Sequence, residues 1–230
     1  MTRVLTWCLF VAVALSSART AHAADNLTRV LHELDAAALK FRTATGDFEW
    51  RTDQTEPIPN TDTQTGTIYL SRTNSAFQMA ARVRVVNQMN VPKVLTYSNS
   101  SGTATLYEKL NDSFRVFKAG ERQSQLESVL LLGFGMSGQE IGSRWDLSYA
   151  RTEILTGVLC DVLELVPKDP EMRKSLPRVT IWVDASRAVT LKQIFDQGQG
   201  NRRICTYSNL RVNTRLPADA FNPRAVPKGE

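Results

Sequence analysis

The sequence is short of the side chains that do most enzyme chemistry. Of 230 residues, two are histidine and three are cysteine. His22 lies in a segment with the marks of an export signal, so the exported chain keeps His32 alone. A single histidine excludes a multi-histidine metal site and leaves a catalytic triad one choice of base. His32 falls in a helix-patterned segment beside Leu31 and near Glu33, where a solvated or capping role is expected. No serine stands in a G-x-S-x-G elbow. Basic residues are scattered rather than clustered, so a nucleic-acid surface has no support despite a formal charge of +5. After residue 23 no apolar run is long enough to cross a bilayer. No metal or cofactor is expected.

The start of the chain, MTRVLTWCLFVAVALSSARTAHA, has a basic residue at Arg3, an apolar run from Val4 to Leu15, and Ala21-His22-Ala23 ahead of a cleavage point. This is the pattern of a secretory leader. The expectations are a removed segment over residues 1–23, one domain over 24–230, and a location in a periplasm or outside the cell. Cys8 is an ordinary leader cysteine on this reading. Loss of Arg3 and Arg19 lowers the charge from +5 to +3.

From Asp25 to Phe41 the apolar residues Leu27, Val30, Leu31, Leu34, Ala38 and Phe41 recur at three- and four-residue steps. That spacing predicts an amphipathic helix, capped by Asp25 or Asn26 and ended before Gly46. The period then changes to two. Phe48 and Trp50, then Ile68 and Leu70, then Phe77, Met79, Ala81, Val83 and Val85 alternate with polar or small neighbours. Further strands are predicted near Val94–Tyr97, Thr103–Leu110, Phe114–Lys118, Trp145–Leu155, Val158–Val166, Arg178–Asp184, Val189–Phe195 and Arg202–Val212. Turn-forming clusters separate them. Between Glu121 and Ser143 the pattern breaks: helix-forming residues, an apolar run at Val129–Leu132, then glycines. The sum is a mainly β chain with helices (α+β), about eleven antiparallel strands that must curl. Helical pieces across the open side would enclose an apolar pocket. In GVLCDVLELVPK, Leu159, Leu163 and Leu165 are expected on the concave face and Cys160 and Val162 on the other.

Three motifs carry little. Gly133-Phe134-Gly135-Met136-Ser137-Gly138 matches G-x-G-x-x-G, but a dinucleotide site needs a preceding strand, a following helix and a parallel βαβ unit. The flexible end of a lid or loop suits these glycines better. Cys160 and Cys205 are an even pair in an oxidising compartment, which suggests a disulfide. A simple meander puts them three strands apart, about 14 Å, so two buried free thiols are favoured over a Cys160–Cys205 bridge. Carboxylate pairs such as Asp47/Glu49 and Asp146/Glu153 are read as solvated strand faces rather than glycosidase acids.

The order of pieces resembles the LolA-like periplasmic carriers of outer-membrane lipoproteins over nearly the whole exported region. The matching pieces are LDAAALKFRTATGDFEW, GTIYLSR, LTYSNSSGTATLYEKLNDSFRVFK, LESVLLLGF, LELVPK, VTIWVD and NTRLPADAFNPRAVPKG. The resemblance implies an incompletely closed, eleven-stranded antiparallel half-barrel with a helical lid over a hydrophobic cavity. It implies an activity too: taking acylated lipoproteins from an inner-membrane transporter to an outer-membrane acceptor; a monomer is expected. In that family an arginine ending the second strand helps hold the lid, followed by proline and then a phenylalanine. Arg72 matches the arginine, Thr73 replaces the proline, and Phe77 stands one residue further along. The residues expected to line the cavity or lid are Phe48, Trp50, Ile68, Leu70, Phe77, Met79, Leu130, Leu131, Leu132, Phe134, Leu163 and Leu165. Other proteins of this architecture are envelope-stress sensors, and a general lipid binder keeps the same fold. A secreted hydrolase is the reading from another class.

Overall fold

In the computed structural model, residues 23–73 and 76–226 are described, so the expected leader lies outside the described residues except for Ala23. The chain begins with helix α1 (residues 23–38). Six strands follow: β1 (Thr43–Gln54), β2 (Asn60–Thr73), β3 (Ala76–Val86), β4 (Met89–Ser98), β5 (Thr103–Glu108) and β6 (Ser113–Lys118). Helices α2 (Gln123–Leu130) and α3 (Gly138–Arg144) interrupt the run. Then come β7 (Trp145–Leu155), β8 (Val158–Pro167), helix α4 (Pro170–Ser175), β9 (Arg178–Asp184), β10 (Val189–Asp196) and β11 (Arg202–Val212).

All eleven strands join one antiparallel sheet in the order β6-β5-β4-β3-β2-β1-β11-β10-β9-β8-β7. Each neighbour is also the neighbour in sequence except at β1–β11, which unites the two halves of the chain through pairs such as Trp50↔Cys205 and Phe48↔Tyr207. The edges, β6 and β7, do not pair with each other, so the barrel stays open. To pass from one edge to the other the chain must cross the mouth. Residues 119–144, carrying α2 and α3, are that crossing. Its apolar residues Leu132, Phe134, Met136 and Ile141 are all buried, which is why it lies against the sheet rather than looping into solvent.

Alternation decides the inner face. On β3, Phe77, Met79, Ala81 and Val83 are buried, and cross-strand pairs carry the same face to Ile68 and Leu70 of β2 and Leu95 of β4. Helix α1 adds Val30 and Leu34 to this core, and Arg29 on its flank reaches the buried carboxylate of Asp161 on β8 at 2.7 Å. His32 is exposed on the same helix.

Strand β8 is buried on both faces over Cys160–Leu163. Leu163 and Leu165 face inward, opposite Ile181 and Val179. On the outer face Val162 stands opposite Trp182, whose ring is flanked by Lys192 at 4.6 Å and Arg151 at 6.0 Å. Leu159 departs from expectation. It shares the parity of Leu163, but it lies next to the β7–β8 turn, beyond the reach of the core, and is 65% exposed.

Two helices are additions to the expected pattern. α3 follows the glycine run, where only a loop leading to a strand was predicted. Ser137 caps it, accepting from the Glu140 amide, while Glu140 returns a bond to the Ser137 amide. α4 stands where only a turn-forming cluster was expected between the strands near Val158–Val166 and Arg178–Asp184: Asp169 caps it and Pro170 occupies its first turn.

Candidate functional site

Between the concave face and the crossing segment lies a cavity of about 500 Å³. Its walls are Trp50 of β1, Ile68 of β2, Met79 and Val83 of β3, Leu95 of β4, Leu106 of β5, Phe195 of β10, and Cys205 and Tyr207 of β11. Val129 and Leu130 of α2, with Phe134 and Leu176, close it from the other side. A larger depression, about 850 Å³, runs past Asp47, Thr67, Ser208, Asn209 and Arg211, and polar groups take a larger share of its walls. The first is the candidate site because apolar walls with few polar groups are the mark of a ligand pocket, and its volume lies within the usual range of roughly 300–1,000 Å³.

Of the residues expected to line a cavity, Trp50, Ile68, Met79, Leu130 and Phe134 do so. Phe48, Leu70, Phe77, Leu132, Leu163 and Leu165 are buried in the core but are not part of this lining. Leu131 is half-buried and packs against the core. Alternation told which face these side chains take, not how far along the groove each one lies.

The cover is tied down at four places. On α2, Glu127 accepts from the hydroxyl of Tyr97 at 2.7 Å and from Gln123 at 2.8 Å. Gln123 also donates to the carbonyl of Asn99 at 2.8 Å. Further along, buried Gln193 at the cavity wall donates to the carbonyl of Leu132 and accepts from the Tyr207 hydroxyl at 3.2 Å. Phe134 sets its ring edge-on to Tyr207, 4.9 Å between centroids. The Gly135 amide beside it donates to the Ala188 carbonyl at 2.8 Å. Gly133 and Gly135 both take positive φ, +82° and +68°, which lets the chain turn tightly on either side of that ring. The glycine run thus belongs to an α2–loop–α3 connection, without the parallel βαβ surroundings a dinucleotide site requires.

The fourth tie is Arg72, at the end of β2. Its guanidinium donates to the Gly135 carbonyl and pairs with Glu140 on α3. Burial pushes the Glu140 carboxyl up, but Arg72, with the Ser137 amide and hydroxyl, holds it below its ordinary value on balance. A docked cover therefore holds fewer protons at this site than a released one. The stabilisation is fully present above about pH 4.5, the ordinary carboxyl value, and drains away as pH falls through the lower docked value. Binding of an apolar dye is expected to rise as pH drops below that point in the native chain. In Glu140→Gln the rise should be absent and binding already high at neutral pH. A Glu140→Gln profile identical to the native one would dismiss the pair as a tie.

Cys160 and Cys205 are free buried thiols on β8 and β11, with β9 and β10 between them. Burial pushes Cys205 up to about 12 and Cys160 up to about 11, so neither is a thiolate at neutral pH. Among the described residues no three His, Cys, Asp or Glu side chains gather as a metal site. No helix there is long and apolar enough to cross a membrane.

No protein-family model matches the sequence. No curated protein matches it either. Solved structures do. MucB superposes with a TM-score of 0.53 at 14% identity, over 87% of this chain and 64% of its own. An uncharacterized conserved protein from Thermus thermophilus gives a TM-score of 0.52 at 8% identity, over 84% of this chain and 91% of its own. A putative outer membrane lipoprotein-sorting protein domain from Vibrio parahaemolyticus aligns at 12% identity over 86% and 95%, with a TM-score of 0.44. At these identities the likeness is one of fold. The open antiparallel half-barrel with helices across its concave side is the fold it shares with MucB and the Thermus thermophilus protein.

Proposed function

We propose that the protein is a periplasmic carrier that shelters acyl chains of lipoproteins in this cavity and conveys them from the inner to the outer membrane. The observation that carries the reading is the pairing of an apolar cavity of about 500 Å³ with a cover attached mainly by side-chain contacts. Each methylene moved from water into such walls gains about 0.8 kcal/mol, which supplies affinity without chemistry. A cover tied by a few polar contacts and one ring can open at modest cost, which supplies release. Nothing in the mechanism requires a nucleophile, a cofactor or a metal. The partners would be acylated lipoproteins, an inner-membrane transporter that releases them and an outer-membrane acceptor. The leader at residues 1–23 would deliver the chain to that compartment as one domain.

A second reading takes its motive from the fold shared with MucB, whose structure from Pseudomonas aeruginosa is also known as a MucA/MucB complex at a TM-score of 0.50. On that reading the cavity senses lipid and the chain reports to a protein partner.

The test is to purify the exported chain from the periplasm without detergent, extract it with organic solvent and identify acyl species by mass spectrometry. A fluorescent acyl probe is titrated alongside. Saturable one-to-one binding with lipoprotein recovered on the chain supports the carrier. Lipid without lipoprotein, together with a protein partner, supports the second reading. Absence of any acyl binding removes both.

A further inference from the structure

The cavity is not uniformly apolar, and its charged groups have one sign. Two cations border it, Lys93 of β4 and Arg203 of β11, with Gln64, Gln193 and Gln197, and no carboxylate. Arg203 and Gln197 are exposed and mark the opening, while Lys93 is half-buried. Neither cation has an ion pair among the described residues. Glu108, the cross-strand neighbour of Lys93, is held at 2.8 Å by Arg115. Arg203 lies over the ring of Trp50, 5.8 Å from its centroid, which steers the guanidinium along the cavity wall. A basic residue in a strand normally turns to solvent or pairs with an acid. These two border a greasy cavity with no acid of their own.

Volume narrows the choice of guest. A methylene is of the size of a water molecule, about 30 Å³, so about 500 Å³ holds roughly sixteen such units. That is one long chain.

Resting on the acyl-binding reading above, we infer that the cavity beneath the docked cover binds a single long-chain fatty carboxylate, its tail along Ile68, Met79 and Phe134 and its carboxylate against Arg203 at the opening, with Lys93 on β4 adding charge of the same sign to the cavity. An ionised carboxylate accepts a forked pair of bonds from a guanidinium, and such charge-assisted bonds are about twice as strong as neutral ones. An alcohol or ester of equal length finds no such partner.

The experiment titrates hexadecanoate and hexadecanol against a bound uncharged fluorescent acyl probe, using the exported chain and the double variant Lys93→Gln/Arg203→Gln. Both sites are at least partly exposed, so the variant should fold, and its melting temperature is measured as a control. The native chain is expected to prefer hexadecanoate by at least tenfold, and the preference should shrink as salt is raised. The double variant should lose that preference, its hexadecanoate affinity falling to that of hexadecanol. Equal affinity for the two ligands in the native chain, or a preference that survives in the variant, overturns the inference and leaves the acyl-binding reading standing. Failure of the native chain to bind probe, alcohol and carboxylate alike overturns both.

Discussion

Phe134→Ala is expected to release the cover from the sheet while leaving the strands folded. The ring is 2% exposed, edge-on to Tyr207, and lies between the backbone contacts Phe134↔Val189 and Gly135 to Ala188. Truncating a buried phenylalanine costs about 3–5 kcal/mol through lost burial and the void left behind. Here the loss falls on a segment that can detach locally, so it weakens docking first and global stability second. Three kcal/mol alone raises the detached population by roughly a hundredfold. Hydrogen exchange at the Gly135 amide reads this directly: its protection should fall by about that factor, while amides in β1 and β11 keep theirs. Unchanged protection of Gly135 in a folded variant would mean that the ring does not hold the cover.

Gly66→Val should do the opposite, unfolding the whole sheet rather than one part of it. Gly66 sits on β2 between Phe48 and Val83, at a register shift in the β2–β3 ladder. A Cβ there would stand 2.0 Å from the Arg82 carbonyl oxygen and 3.0 Å from the Phe48 ring. The first obstacle is backbone and cannot rotate aside. Overpacking of this kind costs about 1–3 kcal/mol, and loss of neighbouring ladder bonds brings the expected total to the upper end or beyond. Gly157→Ala is the control. At φ +82° it meets nothing within 4 Å, so only backbone strain of roughly 1–2 kcal/mol applies. Urea unfolding compares the two. If Gly66→Val proves no worse than Gly157→Ala, the close approach of β2, β3 and Phe48 is not as described.

The strands were readable because each holds a two-residue rhythm between clear turns, and the antiparallel sequence of eleven followed from that alone. α1 was readable for the same reason with a different period. α3 was hidden by Gly138 and Gly142, although the capping pair Ser137 and Glu140 stands in the sequence as S-x-x-E. α4 was hidden by its brevity, although Asp169-Pro170 is a helix start. The resemblance supplied Arg72, but not its partner, since Glu140 is charged, polar in context and unremarked in a glycine-rich stretch. Lys93, Arg203 and Gln193 escaped for a deeper reason. A polar residue at one strand position reads as solvated until the register of several strands shows which face it takes, and that register is a long-range property. Leu159 and Leu163 make the same point from the apolar side: equal parity, unequal depth.

The unpaired edges β6 and β7 give the bore elasticity. A sealed cylinder has a girth set by its hydrogen-bond count and must rupture a full column of bonds to swell. This sheet already has a seam, so its twist can change with every rung intact. Naked rims of that sort also attract foreign strands, and the charges of Arg115, Lys118, Arg151 and Glu153 along the two edges act as bumpers against such stacking.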